Sequence, residues 1–192
     1  MQVLGSILGL MLVLPFTLDA QDQITNPERL RWFTDSTVGP INMGVGAVSA
    51  GWGTWMKSPE EYGTHWAGFG KRYAVGLSGV ATGNAIEAGL GIATREDPRY
   101  FPSGTGSTGR RIRRAATLTF MAYHSDGSLA PAYARYVGIA GNNFLTNAWR
   151  PPSESNVSSA LIRTGLGFAS RFVSNLFDEF RNDFMSPKKE SR

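Results

Sequence analysis

The stretch YAVGLSGVATGNAIEAGLGIAT, residues 73–94, decides how the rest of the chain is read. Its 22 residues carry one charge, Glu87, and five glycines, at 76, 79, 83, 89 and 91. Gly76, Gly79, Gly83 and Glu87 recur every three or four residues and so share one face of a helix. The period-two alternation of a half-buried strand is poor here. Each glycine costs a helix about 1 kcal/mol relative to alanine, some 4–5 kcal/mol for the segment. It is therefore expected to coil only where another helix packs directly into its glycine face. Glu87 lies on that face, and a buried carboxylate must be paired or protonated. Arg72 sits on roughly the same face but too far along the helix. Arg135 and Arg163, on other helices, are the candidate partners, and an ion pair fixing helix register outweighs a catalytic role.

Outward from this segment the punctuation is that of a helical chain. Thr25-Asn26-Pro27-Glu28 opens a short helix, and Gly39-Pro40 breaks it. Residues 41–56 form a second apolar helix, with Gly46, Ala50 and Gly53 as a small-residue stripe. Ser58-Pro59-Glu60-Glu61 starts the long helix, expected over about 60–94, and Glu96-Asp97-Pro98 stops it. A loop over 98–109 leads to a fourth helix at about 110–124. Ser125-Asp126-Gly127-Ser128 turns the chain into a fifth, at about 129–148. After Arg150-Pro151-Pro152-Ser153 comes a sixth, at about 156–184, where Phe168, Phe172, Leu176, Phe180 and Phe184 recur every fourth residue. The fold expected is mainly α: a compact bundle of about five to six glycine-rich helices forming one domain over 21–186, with a disordered tail at 187–192. A small outer-membrane β-barrel is the rival, for which Gly, aromatics and the Asp126-Gly127 hairpin signal speak. Insertion of 41–56 and 73–94 across a membrane is a further alternative, against which the charge of Glu87 counts.

Arg72, Arg135 and Arg163 each precede an asparagine by twelve positions, Asn84, Asn147 and Asn175. A repeated helical unit would give this pattern, and so would composition alone.

Residues 3–14 are apolar or small, and Leu18-Asp19-Ala20 supplies a small-residue cleavage site, which reads as a signal peptide over 1–20 without its usual basic start. Cleavage there removes one charge, Asp19, and raises the formal net charge from +4 to +5. The absence of cysteine excludes disulfides, thiolate metal sites and cysteine nucleophiles. His65 and His124 are the whole imidazole supply.

Several motifs carry less chemistry than their letters suggest. Residues 104–109, GTGSTG, match a dinucleotide fingerprint and also span the two glycines of a phosphate-loop pattern; the first needs a preceding strand, which YFPS makes poorly, and the second needs Lys-Ser/Thr where Arg110 and Arg111 stand, so a flexible loop is expected. Arg110, Arg111, Arg113 and Arg114 crowd a predicted helix N-terminus, where the dipole disfavours cations; with Arg99 they are candidate contacts for an anionic membrane surface or cell-wall polymer. The aromatic interleaving of a nucleic-acid face is missing, so no nucleic-acid partner is expected. Glu61 and His65, four apart, are expected on one helix face; with Glu87, Glu96 and Asp97 they are the candidates for acid–base catalysis. No spacing suits a metal or a cofactor, and none is expected.

Taken together, EYGTHW (61–66), GFGKRY (68–73), NAIEAGLG (84–91), EDPRYF (96–101), PAYARY (131–136) and NNFLTNAWR (142–150) resemble an uncharacterised family of bacterial predicted exported proteins. The resemblance spans most of the mature chain. It implies bacterial origin and export to the periplasm or outer envelope, and it carries no activity. The expected function is a non-enzymatic envelope domain that associates with a membrane or with copies of itself as a homo-oligomer. A small periplasmic hydrolase or lyase built on the carboxylates above is the alternative.

Overall fold

In the structure, a computed structural model that describes residues 24–185, Thr25 and Glu28 close a capping box: the Thr25 N–H donates to Glu28 Oε2 at 2.8 Å. The signal-peptide reading of 1–20 and the tail at 187–192 lie outside the described residues. The cap starts α1 (Asn26–Val38), and Gly39 separates it from α2 (Pro40–Trp55). A 3₁₀ turn at Glu60–Tyr62 precedes α3 (Trp66–Ala93), β1 (Glu96–Asp97) and α4 (Thr108–Phe120). Then come β2 (Met121–His124), β3 (Leu129–Pro131), α5 (Tyr133–Leu145), a 3₁₀ turn at Thr146–Ala148 and α6 (Val157–Met185). The fold is mainly α, as expected. Among the described residues no helix is long and apolar enough to cross a membrane, which removes the expectation for 41–56 and 73–94.

Three boundaries differ from the sequence reading. The long helix begins at Trp66, not near 60, because Gly63 turns the chain at φ +78° after the 3₁₀ turn. The fourth helix ends at Phe120, not 124. Arg135 Nη1 donates to the carbonyls of Leu118 at 2.5 Å and Met121 at 3.2 Å, taking acceptors that a continuing helix would need. Residues 129–131, expected at the start of the fifth helix, are extended. The Asp126-Gly127 signal that supported a barrel instead makes one hairpin, with Gly127 at φ +78° and Tyr123 opposite Leu129. With β1 it forms a three-stranded antiparallel sheet, order β1-β2-β3.

The glycine face of α3 is covered in its centre. A Cβ on Gly138 of α5 would lie 2.9 Å from the Gly83 carbonyl oxygen, so the two backbones touch there. Gly79 faces Asn142 of α5 and Thr146 of the 3₁₀ turn that follows it. On α2, Gly46 meets the Tyr73 ring and Gly53 the Arg72 side chain, which places the Gly46-Ala50-Gly53 stripe against α3. Gly76 and Gly89 face open space, so packing does not require glycine there.

Helices this close leave little room for large apolar side chains between them. Among the described residues only Leu118 and Tyr123 of the buried hydrophobic side chains are larger than alanine, and the largest fully buried side chains are Arg135, Glu179, Thr119 and Thr146. The phenylalanine stripe of α6 is not the core: Phe168, Phe172, Leu176 and Phe180 are half-buried and Phe184 is 78% exposed. The buried positions of that helix are Ala160, Asn175 and Glu179. Apolar residues instead line the outside. On α2, Ile41, Val45, Val48, Trp52 and Trp55 follow one another at spacings of four and three and are 62–74% exposed.

The twelve-residue echo belongs to two helices. Arg72 and Asn84 are the seventh and nineteenth residues of α3; Arg163 and Asn175 are the seventh and nineteenth of α6. Each arginine donates to carbonyls of the turn before its helix, Ser58 at 2.8 Å and Glu154 at 2.7 Å. Each asparagine donates to a backbone carbonyl and a threonine hydroxyl of a shorter helix: Ser36 and Thr37 on α1, Ala115 and Thr119 on α4. Those shorter helices match too. Both have 13 residues, with a buried arginine fourth (Arg29, Arg111) and a buried threonine twelfth (Thr37, Thr119). The chain thus repeats one three-helix order, α1-α2-α3 and α4-α5-α6, with the hairpin set between α4 and α5. Arg135 and Asn147 are not part of it: Arg135 is third in α5, and Asn147 accepts from Arg163 at 2.5 Å.

Candidate functional site

Glu87 is 5% exposed and sits where α3, α5 and α6 meet. Arg135 Nε donates to its Oε1 at 2.9 Å and Arg171 Nη2 at 3.4 Å. Arg135 is the candidate partner named from the sequence. Arg163 is not a partner: its guanidinium is spent on the Glu154 and Asn143 carbonyls and Asn147 Oδ1. Arg171 takes the second place beside Glu87 and also donates to the Pro98 carbonyl at 2.5 Å. Burial, then the charge of Arg135, push its pKa down to about 10, with Glu87 pulling the other way. One buried acid thus serves two arginines, and the surplus positive charge is spread over backbone carbonyls.

A cavity of about 420 Å³ opens on this cluster, lined among others by Asn84, Glu87, Asn142, Asn143, Arg163 and Arg171. Asn142 Oδ1 and the Nε atoms of Arg150, Arg163 and Arg171 are buried without a hydrogen-bond partner. A second cavity, of about 680 Å³ between α2 and α3, shares Asn42, Gly76, Val80, Arg150 and Ser170 with the first. The pair forms a donor-rich, positively charged interior suited to holding polar or anionic groups.

The second ionic centre lies between α4 and α6. Glu179, 1% exposed, accepts from Tyr100 Oη at 2.7 Å, from the Ser103 hydroxyl and N–H, and from Arg111 Nε at 3.1 Å. Arg111 also donates to the Glu179 carbonyl and to Asp183 at 2.5 Å, with its guanidinium 4.1 Å from the Phe180 ring. Burial pushes the Glu179 carboxyl up, but the hydrogen bonds from Ser103, Tyr100 and Arg111 together hold its pKa below the ordinary 4.5. A depressed folded-state pKa stabilises the fold above pH 4.5, and the gain disappears as pH falls through the lower native value. Midpoint temperature is therefore expected to fall on acidification below about pH 4.5. The fall should be shallower in Glu179→Gln, as thermal unfolding across pH will show.

The remaining candidates are dispersed. Glu61 and His65 do not share a helix face as expected: Glu61 is exposed in the 3₁₀ turn and accepts from Ser153 Oγ, and His65 is exposed just before α3. Glu96 caps α5, accepting from the Ala134 N–H at 3.0 Å. Asp97 is held by Arg99 at 2.7 Å, and Arg99 reaches Glu28 at 3.2 Å. These carboxylates do not converge on one cleft. The arginine cluster is also split. Arg111 turns inward and Arg114 donates to the Phe101 carbonyl at 2.9 Å, leaving Arg110 and Arg113 exposed. Among the described residues no group of three metal-ligating side chains gathers.

Comparison of the chain with protein-family models, with curated proteins and with solved structures gives no match.

Proposed function

We propose that this chain is an exported bacterial envelope protein that attaches to a membrane surface through α2, working as a binding or scaffolding domain rather than as an enzyme. The exported character rests on the apolar segment at 3–14 and on the resemblance to bacterial exported proteins. The attachment rests on one observation: an uncharged helix points its apolar stripe, Ile41, Val45, Val48, Trp52 and Trp55, at solvent. Soluble surface helices put charge on that face. Trp66, at the start of α3, is a further tryptophan left in solvent, 85% exposed. Tryptophans placed this way suit the headgroup level of a bilayer, and a helix lying in that plane needs no spanning length. Each such side chain taken fully out of water contributes roughly 1.5–3 kcal/mol.

Flotation with vesicles of phosphatidylethanolamine and phosphatidylglycerol tests this reading. The protein is expected to float, and the double variant Val48→Glu, Trp55→Glu to stay behind with an unchanged midpoint temperature, since these two side chains are 74% and 71% exposed and line neither interior cavity. Because Arg111 and Arg114 are engaged internally, salt should weaken the association only modestly. Equal flotation of the variant, or a wild-type protein that stays in solution as a compact dimer, would refute attachment through α2.

A further inference from the structure

The internal repeat exposes a difference between its two halves. In the second half, Arg111, fourth in α4, is neutralised by two carboxylates of α6: Glu179 and Asp183, the twenty-third and twenty-seventh residues of that helix. In the first half Arg29, fourth in α1, packs on the corresponding end of α3. The twenty-third and twenty-seventh residues there are Ala88 and Ile92. The backbone contact differs as well: Arg29 Nη2 donates to the Glu96 carbonyl at 2.9 Å, past the end of α3, whereas Arg111 Nη2 donates to the Glu179 carbonyl within α6. The carboxylates are gone. Arg29 is 6% exposed, and its Nη1 is buried with no hydrogen-bond partner. Burial lowers its pKa despite the nearby charge of Asp97, which is already bound to Arg99. A buried arginine left this way is costly unless something fills the place.

The surroundings describe what would fill it. A cavity of about 360 Å³ adjoins Arg29; Gly91, Arg95 and His124 line it, together with Asp97, whose carboxylate is neutralised by Arg99 at 2.7 Å. Gly91 has no side chain to close it: a Cβ there would stand 2.5 Å from Arg29 Nη1. His124 Nδ1 lies 3.1 Å from the Thr94 carbonyl, and its Nε2 is buried without a partner. Next to this polar space, and sharing Asn26, Arg29 and Ile92 with it, runs an apolar groove of about 300 Å³ lined by Leu30, Phe33, Ala85 and Ala88. We propose that the end of α3 and the start of α1 form a binding site for an amphiphilic monocarboxylate, its carboxylate on Arg29 in the place that Glu179 fills in the second repeat and its apolar body in the groove over Ala88. The site lies apart from the α2 stripe and does not depend on membrane attachment.

Titration calorimetry of the full chain with octanoate, without vesicles and with 1-octanol as control, tests the assignment. Octanoate is expected to bind, and octanol to bind at least about tenfold more weakly, the usual value of a charge-assisted hydrogen bond. Arg29→Met should lose octanoate by a similar factor. Ala88→Glu is the sharper variant, because it restores the arrangement already folded in the second repeat. It should raise the midpoint temperature and block octanoate. Absence of octanoate binding, equal binding of octanol, or full octanoate affinity in Ala88→Glu would each overturn the proposal.

Discussion

Replacing Arg135 by methionine is expected to cost about 3–5 kcal/mol of stability, the range for removing one partner of a buried ion pair. The volume is nearly kept, so the loss is electrostatic. Glu87, 5% exposed, would keep only the 3.4 Å contact from Arg171. The carbonyls of Leu118, Thr119 and Met121 would lose the donor that ends α4. Urea unfolding of the variant measures the cost. Glu87→Leu together with Arg135→Met should recover part of it, because the stranded charge is gone, but not all, because the carbonyls still lack a donor. A loss of less than about 1 kcal/mol in the single variant would mean that the pair lies in water, not in the interior.

The second large effect has opposite signs at different glycines of the same packing system. Gly138→Val is expected to destabilise by about 2–3 kcal/mol or more, as overpacking does. Its new Cβ would fall 2.9 Å from the Gly83 oxygen and 3.2 Å from Glu87 Cβ. Neither can rotate away, so α3 and α5 must part, and the Glu87–Arg135 contact must stretch with them. Gly70→Ala and Gly89→Ala, on the same α3, meet nothing within 4 Å and should stabilise by about 0.5–1 kcal/mol through helix propensity. Thermal or urea unfolding of the three variants gives the comparison. Equal behaviour at all three positions would show that α3 is held by something other than direct contact with α5.

The sequence announced some of this and hid the rest for identifiable reasons. Glu87 stood out because it is the one charge in 22 residues, and Arg135 could be named because a carboxylate on a glycine face needs a cation from another helix. Arg171 was missed because it falls among the phenylalanines of α6, where the aromatic period captured the reading. The aromatic period marks α6 as a helix but not its buried face: helices brought together by glycine and alanine have no room for phenylalanine between them, so the rings lie on the flanks. A polar stripe was nonetheless visible, since Asn175 and Glu179 are four apart on one face. The arginine cluster at 110–114 showed charge but not direction, and half of it points inward. The repeat could be glimpsed within the long helices, where the spacing is twelve in both. It was lost between helices because the hairpin shifts the register: Arg72 follows Thr37 by 35 residues, Arg163 follows Thr119 by 44.

An ionic interior inside an apolar exterior is the claim on which the functional proposal turns, and it can be measured at α2. In a protein whose Trp32, Trp66 and Trp149 are replaced by phenylalanine, Trp52 and Trp55 are the remaining tryptophans, and excitation at the red edge of the absorption band selects them over the tyrosines. On vesicles carrying lipids brominated along the acyl chain, their emission should shift to the blue and be quenched most by bromines near the headgroup. Unchanged emission, with quenching only by aqueous iodide, would show that the stripe stays in water and would contradict the account.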